Sequence, residues 1–162
     1  MKRTLIAVLM CLVVGALATA QDYGVTVKTD NNTDFDALET YTWMQGHGAF
    51  DREIHRTIVA AIDRKLADAG ITQTDGEADV FVVYHTLQRT DVDLSTWRDT
   101  PDARGNRADT YRVGTLVVNL LDPHTSEQLW HARIDEPLEL DPAALEDQII
   151  RAVAALFEEL PK

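Results

Sequence analysis

Asp79-Val80-Phe81-Val82-Val83-Tyr84-His85-Thr86-Leu87 is the stretch on which the fold turns. From Val80 to Tyr84 it is apolar without a break and made of β-branched and aromatic residues, which reads as a strand. A run apolar on both sides of its pleat belongs at a central, doubly covered position in a sheet. Upstream, Ile54, Ile58, Ala61, Ile62, Leu66 and Ala69 recur at three- and four-residue spacing. Asp51 stands where an N-cap belongs and Gly70 where a C′ residue belongs, so this segment is a helix. Earlier still, Thr40-Tyr41-Thr42-Trp43-Met44 reads as a strand broken by Gly46-His47-Gly48. Residues 23–29 alternate, with Tyr23, Val25 and Val27 on one side, as a short first strand. The Asn/Asp-rich residues 30–34 turn the chain between these two strands.

Downstream, residues 111–121 and 128–134 are a fourth and a fifth strand joined by the hairpin loop Asp122-Pro123-His124-Thr125-Ser126-Glu127. Asp141-Pro142 starts a second helix, an N-cap followed by proline at the first helical position. Its buried stripe is Leu145, Ile149, Val153, Leu156, Phe157 and Leu160, and Pro161 stops it. The order ββαβββα predicts a single α+β domain: about five strands, mostly antiparallel, with both helices on one face.

The chain has 162 residues, of which 45% are hydrophobic and 26% charged, an ordinary globular composition. One domain of this size buries roughly two-thirds of its unfolded surface without staples. The formal net charge of −12 repels phosphate backbones and speaks against nucleic-acid binding.

Residues 1–20 are set apart as a signal peptide. Lys2 and Arg3 form a basic start, Leu5 to Leu17 an apolar core, and Ala18-Thr19-Ala20 a small-x-small cleavage site before Gln21. The apolar run is short of the ~20 residues a membrane span needs. Cys11, the only cysteine, lies inside that run behind Val8, Leu9 and Met10, not behind small residues at its end, so no lipobox is present. The domain that remains, residues 21–162, has no cysteine, which excludes disulfides, thiolate metal sites, iron–sulfur clusters and a cysteine nucleophile. The expected location is periplasmic or secreted, with no transmembrane segment after cleavage.

Several segments match a family in order: Asp34-Phe35 ahead of Thr40-Tyr41-Thr42-Trp43; Ala78-Asp79-Val80-Phe81-Val82-Val83-Tyr84-His85; Gly114-Thr115-Leu116-Val117-Val118-Asn119-Leu120-Leu121-Asp122; and Gln128-Leu129-Trp130 before a closing amphipathic helix. Together they resemble the bacterial envelope family called domain of unknown function 4136, across essentially all of residues 21–162. The resemblance implies an exported protein of α+β fold. Many members look like lipoproteins, and the missing lipobox sets this chain apart. The family has no assigned activity, so the resemblance carries over no catalytic residue.

The residues offer little chemistry. Ser95 and Ser126, the only serines, sit in loops outside any Gly-x-Ser-x-Gly turn. His47, His55, His85, His124 and His131 form no His-Glu-x-x-His motif; His85 and His131 would make a zinc site only if their strands were neighbours and a carboxylate joined them. Asp30, Asn32, Asp34 and Asp36 alternate like a calcium loop, but Phe35 stands where glycine is needed and Tyr41 where a glutamate is needed. Gly46-x-Gly48 lacks the rest of a phosphate-binding loop. No residue is assigned a catalytic, cofactor-binding or metal-binding role.

Trp43 and Trp130 lie in strands and are expected in the core. Residues 88–110 are polar and without period, far longer than the usual connection of about four to six residues. Half of the ten arginines of residues 21–162 lie in or beside this segment: Arg89, Arg98, Arg104, Arg107 and Arg112. Trp97 either folds back to cap the core or is offered to a partner, and the cost of an exposed tryptophan favours capping. The alternatives for the segment are a recognition surface for an envelope partner, centred on Trp97 and Arg98, and a mobile linker whose charges pair with each other. The functional expectation is an exported bacterial envelope protein, a non-enzymatic binding or assembly-support module for an unknown protein or ligand. The alternative is a small lipid or ligand carrier, or a hydrolase, of the periplasm. A carrier needs an apolar cavity, an enzyme a cleft with converging polar groups, and a binding module a filled core.

Overall fold

In a computed structural model, which describes residues 24–44, 49 and 51–161, the Val80-to-Tyr84 run forms the inner half of a much longer strand. The elements in chain order are β1 (Thr26–Thr29), β2 (Thr40–Trp43), α1 (Arg52–Asp68), β3 (Thr72–Gln73), β4 (Val80–Asp93), β5 (Asp109–Leu121), β6 (Gln128–Pro137) and α2 (Pro142–Glu158). They build one α+β domain with a six-stranded sheet in the order β1-β6-β5-β4-β2-β3. The signal-peptide expectation with Cys11, and those for Tyr23 and for Gly46-His47-Gly48, lie outside the described residues.

Both helices begin where their caps predict. The Asp51 carboxylate accepts from the backbone N–H of Glu53 and Ile54, and that of Asp141 from Ala143 and Ala144, which occupies the first free donors of each helix. Gly70 ends α1 at φ +86°, the left-handed conformation only glycine adopts cheaply.

The core lies on one side of the sheet. Val80, Val82 and Tyr84 of β4 face it, and the register sets Val82 against Leu120 and Tyr84 against Val118. Leu120 and Val118 meet Trp130 and Ala132 of β6 in turn. Ile58, Ile62 and Leu66 of α1 and Val153, Leu156 and Phe157 of α2 complete the same cluster, so both helices cover this one face. Trp130 is fully buried and Trp43 packs half-buried against the cluster.

Three expectations need correction. The sheet has six strands, because two-residue β3, too short to show a period, pairs with β2. It is mixed: β2 runs parallel to both β3 and β4, while the β1–β6, β6–β5 and β5–β4 pairs are antiparallel. The Asp79 carboxylate fixes the parallel join, accepting from the Thr40 N–H at 2.8 Å and the Thr40 hydroxyl at 2.7 Å. Those bonds hold its carboxyl below the usual range. Finally, β4 is central but not doubly covered: among the described residues no helix packs on the face carrying Phe81, Val83 and His85. Its apolar character there reflects its place in mid-sheet, where Val83 and its partner Asn119 are buried.

Candidate functional site

The polar segment after Leu87 begins and ends as strand, over residues 88–93 and 109–110. β4 and β5 stay paired out to Asp93 opposite Asp109, while β6 leaves β5 where Val113 meets Pro137. A two-stranded ribbon therefore extends past the sheet. Its tip, residues 94–108, is hydrogen-bonded to itself. Arg98 N–H donates to the Arg107 carbonyl at 2.7 Å and the Asp102 N–H to the Asn106 carbonyl at 2.8 Å. Asp102 Oδ1 in turn accepts from the N–H groups of Arg104 and Asn106. Gly105 turns the tip at φ +86°. Arg98 forms an ion pair with Asp109 at the outer end of the ribbon, where the tip begins, and the Arg107 guanidinium donates to the Asp99 carbonyl.

Trp97 does not cap the core. It is 57% exposed, and Val92 and Leu94 beside it are 52% and 72% exposed. The tip's own hydrogen bonds hold its backbone away from the core.

A second feature lies between the sheet and the helices. Where β4, β5 and β6 run on past the first turns of α1 and α2, a cavity of about 490 Å³ opens. Ile54 and Ile58 form one wall, Leu116 and Ile134 the floor, and Leu145 and Ile149 the other wall. Leu138, in the link from β6 to α2, closes one side. It can do so because Gly114 beneath it has no side chain: a Cβ there would collide with the Leu138 methyl. Gln148 fixes that link, donating to the Pro137 carbonyl at 2.7 Å and to Glu136 at 3.0 Å while accepting from the Glu139 N–H at 3.0 Å.

Three polar clusters tie the elements together elsewhere, and little in the sequence points to them. Asp63, in mid-helix, accepts from the Tyr41 hydroxyl at 2.6 Å and from the Trp43 indole at 2.9 Å, pinning α1 to β2. Burial first, then Asp63, pushes the Tyr41 hydroxyl's pKa up, so it remains a donor. The Tyr84 hydroxyl accepts from the Ala49 N–H at 3.1 Å and meets His55 Nδ1 at 2.5 Å, the two rings stacking. Burial raises the Tyr84 pKa. On the helix-free face, Asp135 binds Arg133 and Arg89, each at 2.8 Å, and takes the Thr115 hydroxyl at 2.5 Å. Arg133 foremost holds the Asp135 carboxyl far below the usual carboxylate range.

The condition for a two-histidine zinc site, that the two strands be neighbours, is not met. β5 separates the strands of His85 and His131, and the register offsets them, His85 opposite Val117 and His131 opposite Asn119. His131 Nδ1 instead bonds Asn119 Oδ1 at 2.7 Å. Burial, then Lys28 and Arg133, lowers its pKa. Among the described residues no three His, Cys, Asp or Glu side chains gather as a metal site. Ser95 and Ser126 stay apart in loops, Ser95 bonded to Asp93. Asp30 closes a local turn on Asn32 and Thr33. No described helix is long and apolar enough to cross a membrane.

No curated protein matches the sequence. Solved structures do. A PDZ domain protein from Parabacteroides distasonis aligns with TM-score 0.57 and 14% identity over 85% of this chain; the chain spans only 36% of that protein. PelC from Paraburkholderia phytofirmans, described as a dodecamer, aligns with TM-score 0.50 and 10% identity over 85% of this chain and 98% of its own. At such identities the likeness is one of fold. The sequence itself goes further, for it matches a family model along nearly the whole domain, and the chain belongs to the family of the domain of unknown function DUF4136, over residues 25–162.

Proposed function

We propose that this domain is a non-enzymatic interaction module of the bacterial cell envelope, exported behind residues 1–20 and docking through the tip of the β4–β5 ribbon. The observation that carries the reading is exposed Leu94 and Trp97 on a tip whose backbone is already tied down, with exposed Val92 next to them at the end of β4. Apolar side chains grouped in water mark a surface that something covers. A pre-ordered tip loses little entropy when it binds, and tryptophan beside arginine is the composition of an interface hot spot.

The test replaces residues 94–108 with a short Gly/Ser turn that keeps both strands. The variant should melt close to the parent and lose the proteins that cross-link to the parent in envelope extracts. An unchanged cross-linking pattern overturns the reading. The dodecamer described for PelC suggests one specific partner, further copies of this chain. Light scattering on parent and variant decides that, since self-docking requires the parent's larger mass to collapse to that of a monomer. Intact mass of the exported protein should show an N-terminus at Gln21; an uncleaved or acylated chain contradicts the export route.

A further inference from the structure

The cavity beneath Leu138 stands apart from the ribbon's tip and points to a ligand of its own. We propose that it binds a single-chain amphiphile with a neutral or cationic head group. Its 490 Å³ falls within the roughly 300–1,000 Å³ of small-molecule sites, and its walls are mostly aliphatic. Ile54, Leu116, Ile134 and Ile149 offer a hydrocarbon chain contact on opposite sides.

Charge decides the head group. Of the described residues lining the cavity, Asp51 and Glu136 are charged, both as acids, and no lysine or arginine joins them. An anionic head would meet two carboxylates and no counter-charge. The N-terminal turns of α1 and α2 also reach the cavity, and a helix N-terminus ordinarily attracts anions. Here Asp51 and Asp141 already occupy the first N–H donors and offset the positive ends. The Gln148 amide is consumed by Glu136, Pro137 and Glu139, so it offers no donor to a carboxylate. A quaternary ammonium or a hydroxylated head suffers none of these penalties.

The experiment uses the purified protein and the fluorescent neutral probe N-phenyl-1-naphthylamine, displaced by three C12 amphiphiles below their micelle concentrations. Dodecyltrimethylammonium and dodecyl maltoside should displace the probe at least tenfold more strongly than dodecanoate. Ile149→Trp, which fills the cavity, should abolish probe binding while the melting temperature holds. If that variant fails to fold, Leu116→Phe serves the same purpose. Glu136→Gln should narrow the gap between dodecyltrimethylammonium and dodecanoate. The proposal is overturned if the probe does not bind, if dodecanoate competes equally, or if the filled variant binds as the parent does. None of these results depends on the ribbon, which the 94–108 replacement tests separately.

Discussion

Replacing Asp63 with leucine removes the one acceptor shared by Tyr41 and Trp43. Tyr41 is 2% exposed, so its hydroxyl has no route to water once the carboxylate is gone. Trp43 is half-buried, and its indole N–H recovers part of its loss from solvent. A hydrogen bond to a charged acceptor contributes about 1.5–3 kcal/mol, and an orphaned buried donor carries a comparable penalty. One full loss and one partial loss come to about 3 kcal/mol, or a fall in melting temperature of about 10 °C for a domain of this size. The sharper result is a double-mutant cycle read by urea denaturation. Tyr41→Phe alone should cost about 1.5–2 kcal/mol, since it strands part of the Asp63 acceptor capacity. In the Asp63→Leu background the same change should be neutral or stabilising, because it deletes a hydroxyl that is already unpaired. Equal costs for Tyr41→Phe in both backgrounds would refute the shared-acceptor account.

Three further outcomes follow from the polar clusters and the ribbon. Trp97→Ala should leave the melting temperature within about a degree of the parent, as an exposed substitution does; a drop of several degrees would return Trp97 to the core. Asp135 has a depressed folded pKa, so its contribution is complete above the ordinary aspartate pKa of ~3.9 and fades as pH falls below it. Asp135→Asn should therefore flatten the acid limb of stability, measured as urea midpoints between about pH 2 and 6, and an unaltered slope contradicts the arginine clamp. The His131 pKa is also depressed, so the unfolded chain takes up that proton first and stability falls as pH drops through ~6.5. Lys28→Gln removes a nearby positive charge and should move the His131 titration upward in an NMR series; no movement would show that Lys28 plays no part in lowering it.

How much of this was legible depended on whether a residue's neighbours were local. Both helices could be read to their ends, because Asp51, Gly70, Asp141 and Pro142 act within one turn of where they stand. The inner half of β4 showed through its apolar run. Its outer half, Gln88-Arg89-Thr90-Asp91-Val92-Asp93, looked like a loop because a ribbon wet on both faces has no burial to impose alternation. Only its partner residues 109–114 make it a strand. The parallel seat of β2 depends on Asp79 reaching Thr40, a contact that no window of sequence contains. Asp63 left a faint sign, an acid on the core-facing side of a helix, opposite a Tyr-x-Trp strand. The cavity left almost none, since it is the gap between a sheet and two helices. Its one marker is Gly114, a glycine inside a strand, which often signals close approach of another group.

The pairing of β1 with β6 has a consequence for how the chain acquires its structure. Thr26 lies opposite Arg133 and Thr29 opposite Trp130, so among the described residues the first strand finds its one neighbour in the last. The β4–β5 and β5–β6 hairpins are local in sequence and close at little entropic cost. They should form first, as a three-stranded meander. β1, although it leaves the ribosome earliest, must stay unpaired until β6 has been made, and it then closes the longest loop in the molecule. Its sequence tolerates that wait: it is four residues long and three of them, Thr26, Lys28 and Thr29, are polar, a poor template for pairing with other chains. The β1–β6 pair should therefore be the last in the sheet to form, and a chain truncated before β6 should keep its N-terminal strand available to proteases however long it is given.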